Sequence, residues 1–132
     1  MKYIDKLAWI HIVNKAILST RSIGKDTYYI PGGKREEGES DVQALCREIK
    51  EELSVDLKTD TLLFLGEFQA QAHGHPEGTI VKMSCYFADY SGTLVPAAEI
   101  EEIKWLNSSD KGSISTVDKL IFDHLKEKGL IN

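Results

Sequence analysis

Apolar and polar positions change period several times along the chain, and each change marks a candidate element. Asp5 to Val13 is dense in apolar and aromatic residues and predicts a strand. Asn14-Lys15 supplies a turn, and Ala16 to Thr20 predicts the returning strand of a hairpin. Ser22 to Asp26 is a polar, glycine-containing loop, followed by the short apolar run Tyr28 to Pro31. Gly32-Gly33 lets the backbone turn tightly toward a ligand. Ser40 and Gln43 have capping-box spacing. Behind them Val42, Leu45, Cys46, Ile49 and Leu53 recur at the helical period and predict a buried face. Leu62 to Ala72 and Thr79 to Asp89 predict two longer strands joined by the loop HGHPEG. Ile100 to Leu106 predicts another strand, and Thr116 to Lys128 a second amphipathic helix ending at Gly129. Mixed strands with two helices predict an α/β layered domain. Trp9 and Trp105 are expected in its core, Trp105 on the same strand face as Ile103.

Composition narrows the class. With 132 residues, 42% of them hydrophobic, residues 1–132 are expected to form one domain around one core. A net charge of −5 and a pI near 5.4 argue against a nucleic-acid partner held by basic patches. Cys46 and Cys85 have no CxxC spacing, and Cys46 falls on the apolar helix face. Two buried thiols are therefore expected in place of a disulfide or zinc site. Neither a leader pattern nor an apolar run long enough to span a bilayer is visible, so a cytoplasmic protein without a membrane partner is the expectation.

The chemistry concentrates in Gly33 to Val55, GKREEGESDVQALCREIKEELSV. Glu48, Glu51 and Glu52 stand at i, i+3 and i+4 of the first helix. At ~100° per residue, Glu48 and Glu52 project within about 40° of each other, with Glu51 on the neighbouring part of that face. Carboxylates so close repel one another. Hard divalent cations, which take oxygen ligands and also bind phosphate groups, relieve that repulsion. The pattern points to Mg²⁺ held for a polyphosphate.

The same stretch resembles the Nudix signature, in its MutT-related form. Gly33, Glu39, Arg47, Glu48, Ile49, Glu51, Glu52 and Val55 occupy the defined positions, and Ser54 stands where the signature has glycine. That position ends the helix in a left-handed residue, which favours glycine by roughly 1 kcal/mol. The departure concerns the helix end and leaves the carboxylates intact.

The resemblance implies an α/β/α sandwich around a mixed sheet, and site roles at matching positions. Glu48, Glu51, Glu52 and the carbonyl of Gly32 are implied metal ligands, for Mg²⁺ with Mn²⁺ as a substitute. Arg47 and Glu39 are implied to form a salt bridge that orients the helix and its acids. Glu48 is the candidate general base within the helix. Glu99, six residues before Trp105, has the spacing of a further ligand from a later loop. Arg21 follows the second hairpin strand, where relatives place an arginine on substrate phosphates, and a guanidinium suits phosphate oxygens. Lys34 beside Gly33 is a weaker phosphate candidate, and Tyr28 and Tyr29 precede the PGG turn, where relatives place residues near the base. His73 and His75 sit in a loop that suits specificity better than a separate metal site.

These features predict a Mg²⁺-dependent hydrolase acting on a small-molecule nucleotide. The favoured reaction converts a nucleoside or deoxynucleoside triphosphate into the monophosphate and pyrophosphate. ADP-ribose or a nucleotide sugar is the alternative within the same chemistry, and a non-catalytic Nudix binding module the alternative outside it. Such modules lose box acids, and this chain keeps them. Oligomeric state stays open, and the resemblance admits a homodimer.

Overall fold

Leu7, Ala8, Trp9 and Ile10 are four consecutive buried residues, and the layers follow from the two directions in which they point. Successive side chains of a strand face opposite sides of its sheet. In the computed structural model, which describes residues 2–132, they belong to the first strand, β1 (Lys2–Ile10). Leu7 and Trp9 enter one hydrophobic cluster with Leu18, Leu45, Ile49 and Leu53. Ala8 and Ile10 enter the other with Ile17, Leu106, Ile121 and Phe122. A strand buried on both faces needs a covering layer on each, and the two helices supply them.

Short β2 (Ile12–Val13) turns at Asn14-Lys15 into β3 (Ala16–Ser22). Asn14 and Lys15 have φ of 51° and 61°, the left-handed pair that closes a tight hairpin. The first predicted strand is therefore two strands, starting at Lys2 and broken at His11, because β2 leaves the first sheet to pair with β3. Next come β4 (Tyr28–Tyr29), β5 (Gly32–Gly33) and the helix α1 (Asp41–Leu53). The chain continues through β6 (Asp56–Leu57), β7 (Leu63–Gln71), β8 (Thr79–Phe87), β9 (Tyr90–Ser91) and β10 (Ile100–Leu106) to α2 (Thr116–Glu127). One mixed sheet has the order β5-β1-β8-β7, with β1 and β8 parallel and the other pairs antiparallel. A second sheet runs β10-β3-β2, with β4 also paired to β3. The predicted α/β architecture with a mixed sheet is the observed one. Among the described residues no helix is long and apolar enough to cross a membrane.

Two core assignments are corrected. Val42, expected on the buried face of α1, is 38% exposed, while Ala44 takes a fully buried place. Val42, the second residue of α1, projects beyond the cluster that buries Ala44, Leu45, Ile49 and Leu53. Trp105 is 40% exposed near the end of the edge strand β10, while Ile103 two residues earlier packs against a core cluster. The Trp105 ring lies 5.6 Å from that of His11, which in turn stacks on buried Trp9 at 4.9 Å. Cys46 is half-buried and Cys85 buried, and both are free thiols.

Candidate active site

α1 begins as its sequence predicts. The Ser40 hydroxyl accepts from the Gln43 amide at 3.2 Å, and the Gln43 side chain accepts from the Ser40 amide at 2.9 Å. It ends as predicted too, with Ser54 left-handed at φ 66°. The Ser54 hydroxyl donates to the Val95 carbonyl at 3.1 Å, tying the helix end to the loop that leads to Glu99. Between these caps the helix carries the acids.

Arg47 organises the outer part of the cluster. Its Nε and Nη2 donate to the two Glu39 oxygens at 2.8 and 2.9 Å, a bidentate pair. Its Nη1 donates to Glu48 at 2.9 Å and approaches Glu51 at 3.4 Å, and Nη2 also donates to the Lys34 carbonyl at 3.0 Å. The Arg47 guanidinium, helped by the Glu36 amide, holds Glu39 down at about 2. The predicted salt bridge is present, and it fixes the loop Lys34–Glu39 against the helix.

Glu52 is the inner acid and only 8% exposed. It accepts from the Gly32 amide at 3.3 Å. Burial first, and then Glu48, push its pKa up to about 8 despite that hydrogen bond, with Glu99 and Glu51 adding to the rise. Glu48 is raised as well, chiefly by burial. Contact requires glycine at position 32, and at position 33 a side chain would displace the Glu48 carboxylate. A Cβ on Gly32, whose φ is 151°, would lie 1.9 Å from the Leu7 carbonyl oxygen, and one on Gly33 would lie 2.4 Å from the Glu48 carboxyl carbon. Backbone and carboxylate therefore press together where the sequence reads GG.

A cleft of about 210 Å³ opens over this junction, lined by Gly32, Gly33, Glu52 and Glu99 with Thr20, Ser22 and Lys6. Glu99 thus joins the box acids from the loop before β10. Among the described residues no three acidic, cysteine or histidine side chains already converge on a common ion position. Glu48 and Glu51 are turned to Arg47, and Glu52 to the Gly32 amide. The donor chemistry nonetheless fits a hard cation: carboxylate oxygens on one face, one of them buried among other acids that raise its pKa.

A second cavity of about 210 Å³ adjoins the first and shares Lys6, Tyr29 and Met83 with it. Its other walls include Ile4, Val81, Ser115, Val117 and the β7–β8 loop with His73 and His75. Gln71 pins that loop, donating to the Pro76 carbonyl at 2.9 Å and accepting from the Gly78 amide at 3.0 Å. The His73 ring meets Tyr29 edge-on at 6.1 Å. Beside this cavity Asp118, 1% exposed, accepts from the Ile30 amide at 3.0 Å through Oδ2. Among the described residues its Oδ1 and the Ser115 hydroxyl have no partner other than each other. Burial pushes the Asp118 pKa up to about 7, while the Ile30 amide and Ser115 act to hold it down.

Three predicted substrate residues are not brought to either cavity. Arg21 alternates with Thr20 and Ser22, which line the cleft, and so points away from it. It pairs instead with Glu101 at 2.6 Å and donates to the Lys25 carbonyl at 2.9 Å. Tyr28 donates to Glu102 and lies under Lys104, and its neighbour Tyr29 takes the position between the cavities. Lys34 lines a separate shallow depression with Asp5 and Arg35. The sequence reading missed Lys6, Ser115 and Asp118. Asp118 left a signal, because it shares a helical stripe with buried Ile121, Phe122 and Leu125 where an apolar residue is the rule.

A family model described as the NUDIX domain matches residues 7–118. Among solved structures, the E. coli ORF135 protein is 26% identical, with 96% of this chain and 92% of that chain covered and a TM-score of 0.74. A MutT NUDIX hydrolase from Burkholderia pseudomallei is 22% identical over 80% of this chain and 84% of its own, with a TM-score of 0.66. A UDP-X diphosphatase is 17% identical over 98% and 64%, with a TM-score of 0.73. A search of curated protein sequences returns no significant match. The match over most of the chain, on a fold that sets the box acids against the GG junction, identifies the protein as a member of the Nudix hydrolase family.

Proposed function

We propose that this Nudix hydrolase uses Mg²⁺ to cleave a nucleoside or deoxynucleoside triphosphate into the monophosphate and pyrophosphate. The observation that carries this reading is the adjacency of the two cavities. The acid-lined cleft suits a cation-bound polyphosphate, and the neighbouring pocket, lined by apolar and polar groups in similar measure, suits one nucleoside. Buried polar atoms are normally paired, so the Ser115 hydroxyl in the pocket wall, with Asp118 beside it, suits the polar edge of a base. With its pKa near 7, Asp118 is able to donate or accept there.

Glu48, Glu51, Glu52, Glu99 and the Gly32 carbonyl are the residues that would hold the metal. Bound among them, Mg²⁺ supplies charge neutralisation for the phosphate oxygens and acidifies the attacking water. The chain's own groups do the rest. Arg47 and Glu39 keep the acids oriented, Glu48 takes the proton of the water, and the Tyr29 ring and the pinned loop exclude solvent around the base.

The test is a panel of nucleoside triphosphates, nucleotide sugars, ADP-ribose and dinucleoside polyphosphates with Mg²⁺, reading phosphate and pyrophosphate release. Pyrophosphate from a triphosphate, abolished by EDTA, is the expected result. Turnover confined to sugar nucleotides or ADP-ribose would replace the substrate assignment. Absence of any turnover would leave a binding module.

A further inference from the structure

Lys6 stands at the border between the two cavities. It lines both, together with Tyr29 and with Met83, its direct partner across the parallel β1–β8 pair. Of the three it is the only cation. Its ammonium interacts electrostatically with Lys34 first, and then with Asp118 behind the pocket and with Glu52 and Glu48 in the cleft. Among the described residues it makes no hydrogen bond or ion pair, whereas the neighbouring arginines are committed. Arg21 is on Glu101 at 2.6 Å, Arg35 on Asp41 at 2.5 Å and Arg47 on Glu39 at 2.8 Å. Lys34, the other lysine near the GG junction, opens onto a different surface.

A nucleotide that spans both cavities must cross this border. With its base in the pocket and its outer phosphates by the acids, the sugar and the first phosphate lie where Lys6, Tyr29 and Met83 meet. That phosphate is the anionic group nearest the nucleoside, and the cleft around it is acidic. A lysine meets such a group as a point charge with three donors, on a stem that packs along apolar neighbours. From this placement we infer that Lys6 is a substrate-binding residue that grips the phosphate attached to the nucleoside, a role that rests on the nucleoside-pocket reading above. The same contact makes the pocket select phosphorylated nucleosides over free ones, before any metal is bound.

The experiment uses the full chain in EDTA, so that neither metal nor turnover enters. Binding of the common nucleoside and deoxynucleoside 5′-monophosphates is compared with that of their parent nucleosides, for wild type, Lys6→Met, Lys6→Arg and Lys34→Met. Thermal melts of each variant confirm folding. Wild type is expected to bind the preferred monophosphate about tenfold more tightly than its nucleoside, a gain of the size of one charge-assisted contact. Lys6→Met should lose that ratio and keep its nucleoside affinity, Lys6→Arg should keep most of it, and Lys34→Met should behave as wild type. A Lys6→Met protein that retains the ratio, or that loses affinity for nucleoside and monophosphate equally, overturns the role of Lys6. Equal loss in Lys34→Met overturns its assignment to this one lysine. Failure of wild type to bind any monophosphate or nucleoside overturns the pocket and the inference together, whereas failure of triphosphate hydrolysis with binding intact overturns only the reaction proposed above.

Discussion

Glu52 in the wall of the cleft and Asp118 beside the adjoining cavity are both buried carboxyls, 8% and 1% exposed, and in both burial drives the pKa upward. Their neighbours differ. Glu52 faces Glu48, Glu51 and Glu99, so repulsion adds to desolvation, and a cation is the natural remedy. Asp118 has a backbone amide on one oxygen, Ser115 beside the other, and no second carboxylate among the causes of its shift. In the function proposed above, one acid serves charge and the other hydrogen bonding. Burial alone does not tell them apart; the surrounding charges do.

The comparison breaks most sharply under neutral substitution. Glu52→Gln keeps the shape and removes the charge, so hydrolysis should fall about 100-fold or more. In EDTA the same variant should be at least as stable as wild type, because repulsion is relieved. Full Mg²⁺-dependent turnover in Glu52→Gln would remove it from the metal cluster. Asp118→Asn preserves an acceptor for the Ile30 amide and should act on recognition. A rise in KM of about tenfold for the preferred nucleotide, with kcat little changed, is the expected result. A collapse of kcat with KM unchanged would mean that the two acids share one task.

A pH profile of stability sharpens the contrast. Both groups have folded pKa values above their ordinary ones, 4.5 for Glu52 and 3.8 for Asp118. Each favours the folded state fully when the pH is below those ordinary values, and that contribution is lost as pH rises through about 7 for Asp118 and about 8 for Glu52. Denaturant midpoints in EDTA should therefore fall between roughly pH 4 and pH 8. Glu39 has the opposite sign: its contribution, present above 4.5, disappears as pH drops toward about 2. Mg²⁺ should flatten the Glu52 part of the fall and leave the Asp118 part, since only the first faces the cation. A profile that Mg²⁺ leaves unchanged would count against the contrast.

The smallest effect is expected at the helix end. Ser54→Gly relaxes a left-handed residue at φ 66° but removes the hydroxyl bond to Val95. Gains and losses of about 1 kcal/mol each should nearly cancel, leaving stability within about 0.5 kcal/mol of wild type and activity unchanged. A larger loss would show that the Val95 tie positions the loop carrying Glu99, and so belongs to the acid end of the comparison.

The acid end was legible in the sequence because its parts are local. Glu48, Glu51, Glu52, Arg47 and Glu39 lie within a loop and one helix, whose period, caps and glycine pair can be read directly. Glu99 needed only a spacing from Trp105. The adjoining cavity, proposed above for a nucleoside, was not legible in the same way. It gathers Lys6 from β1, Tyr29 from β4, the loop of the β7–β8 hairpin and Ser115 and Val117 at the start of α2. Strand order, the sheet change at His11 and the pairing of Lys6 with Met83 decide that assembly. The same nonlocal geometry turned Arg21 away from the cleft, chose Tyr29 over Tyr28 and left Trp105 on an open edge. Periodicity fixes which residues share one face of one element. Which faces of different elements meet depends on the packing of both cores at once, and for that the tertiary structure was needed.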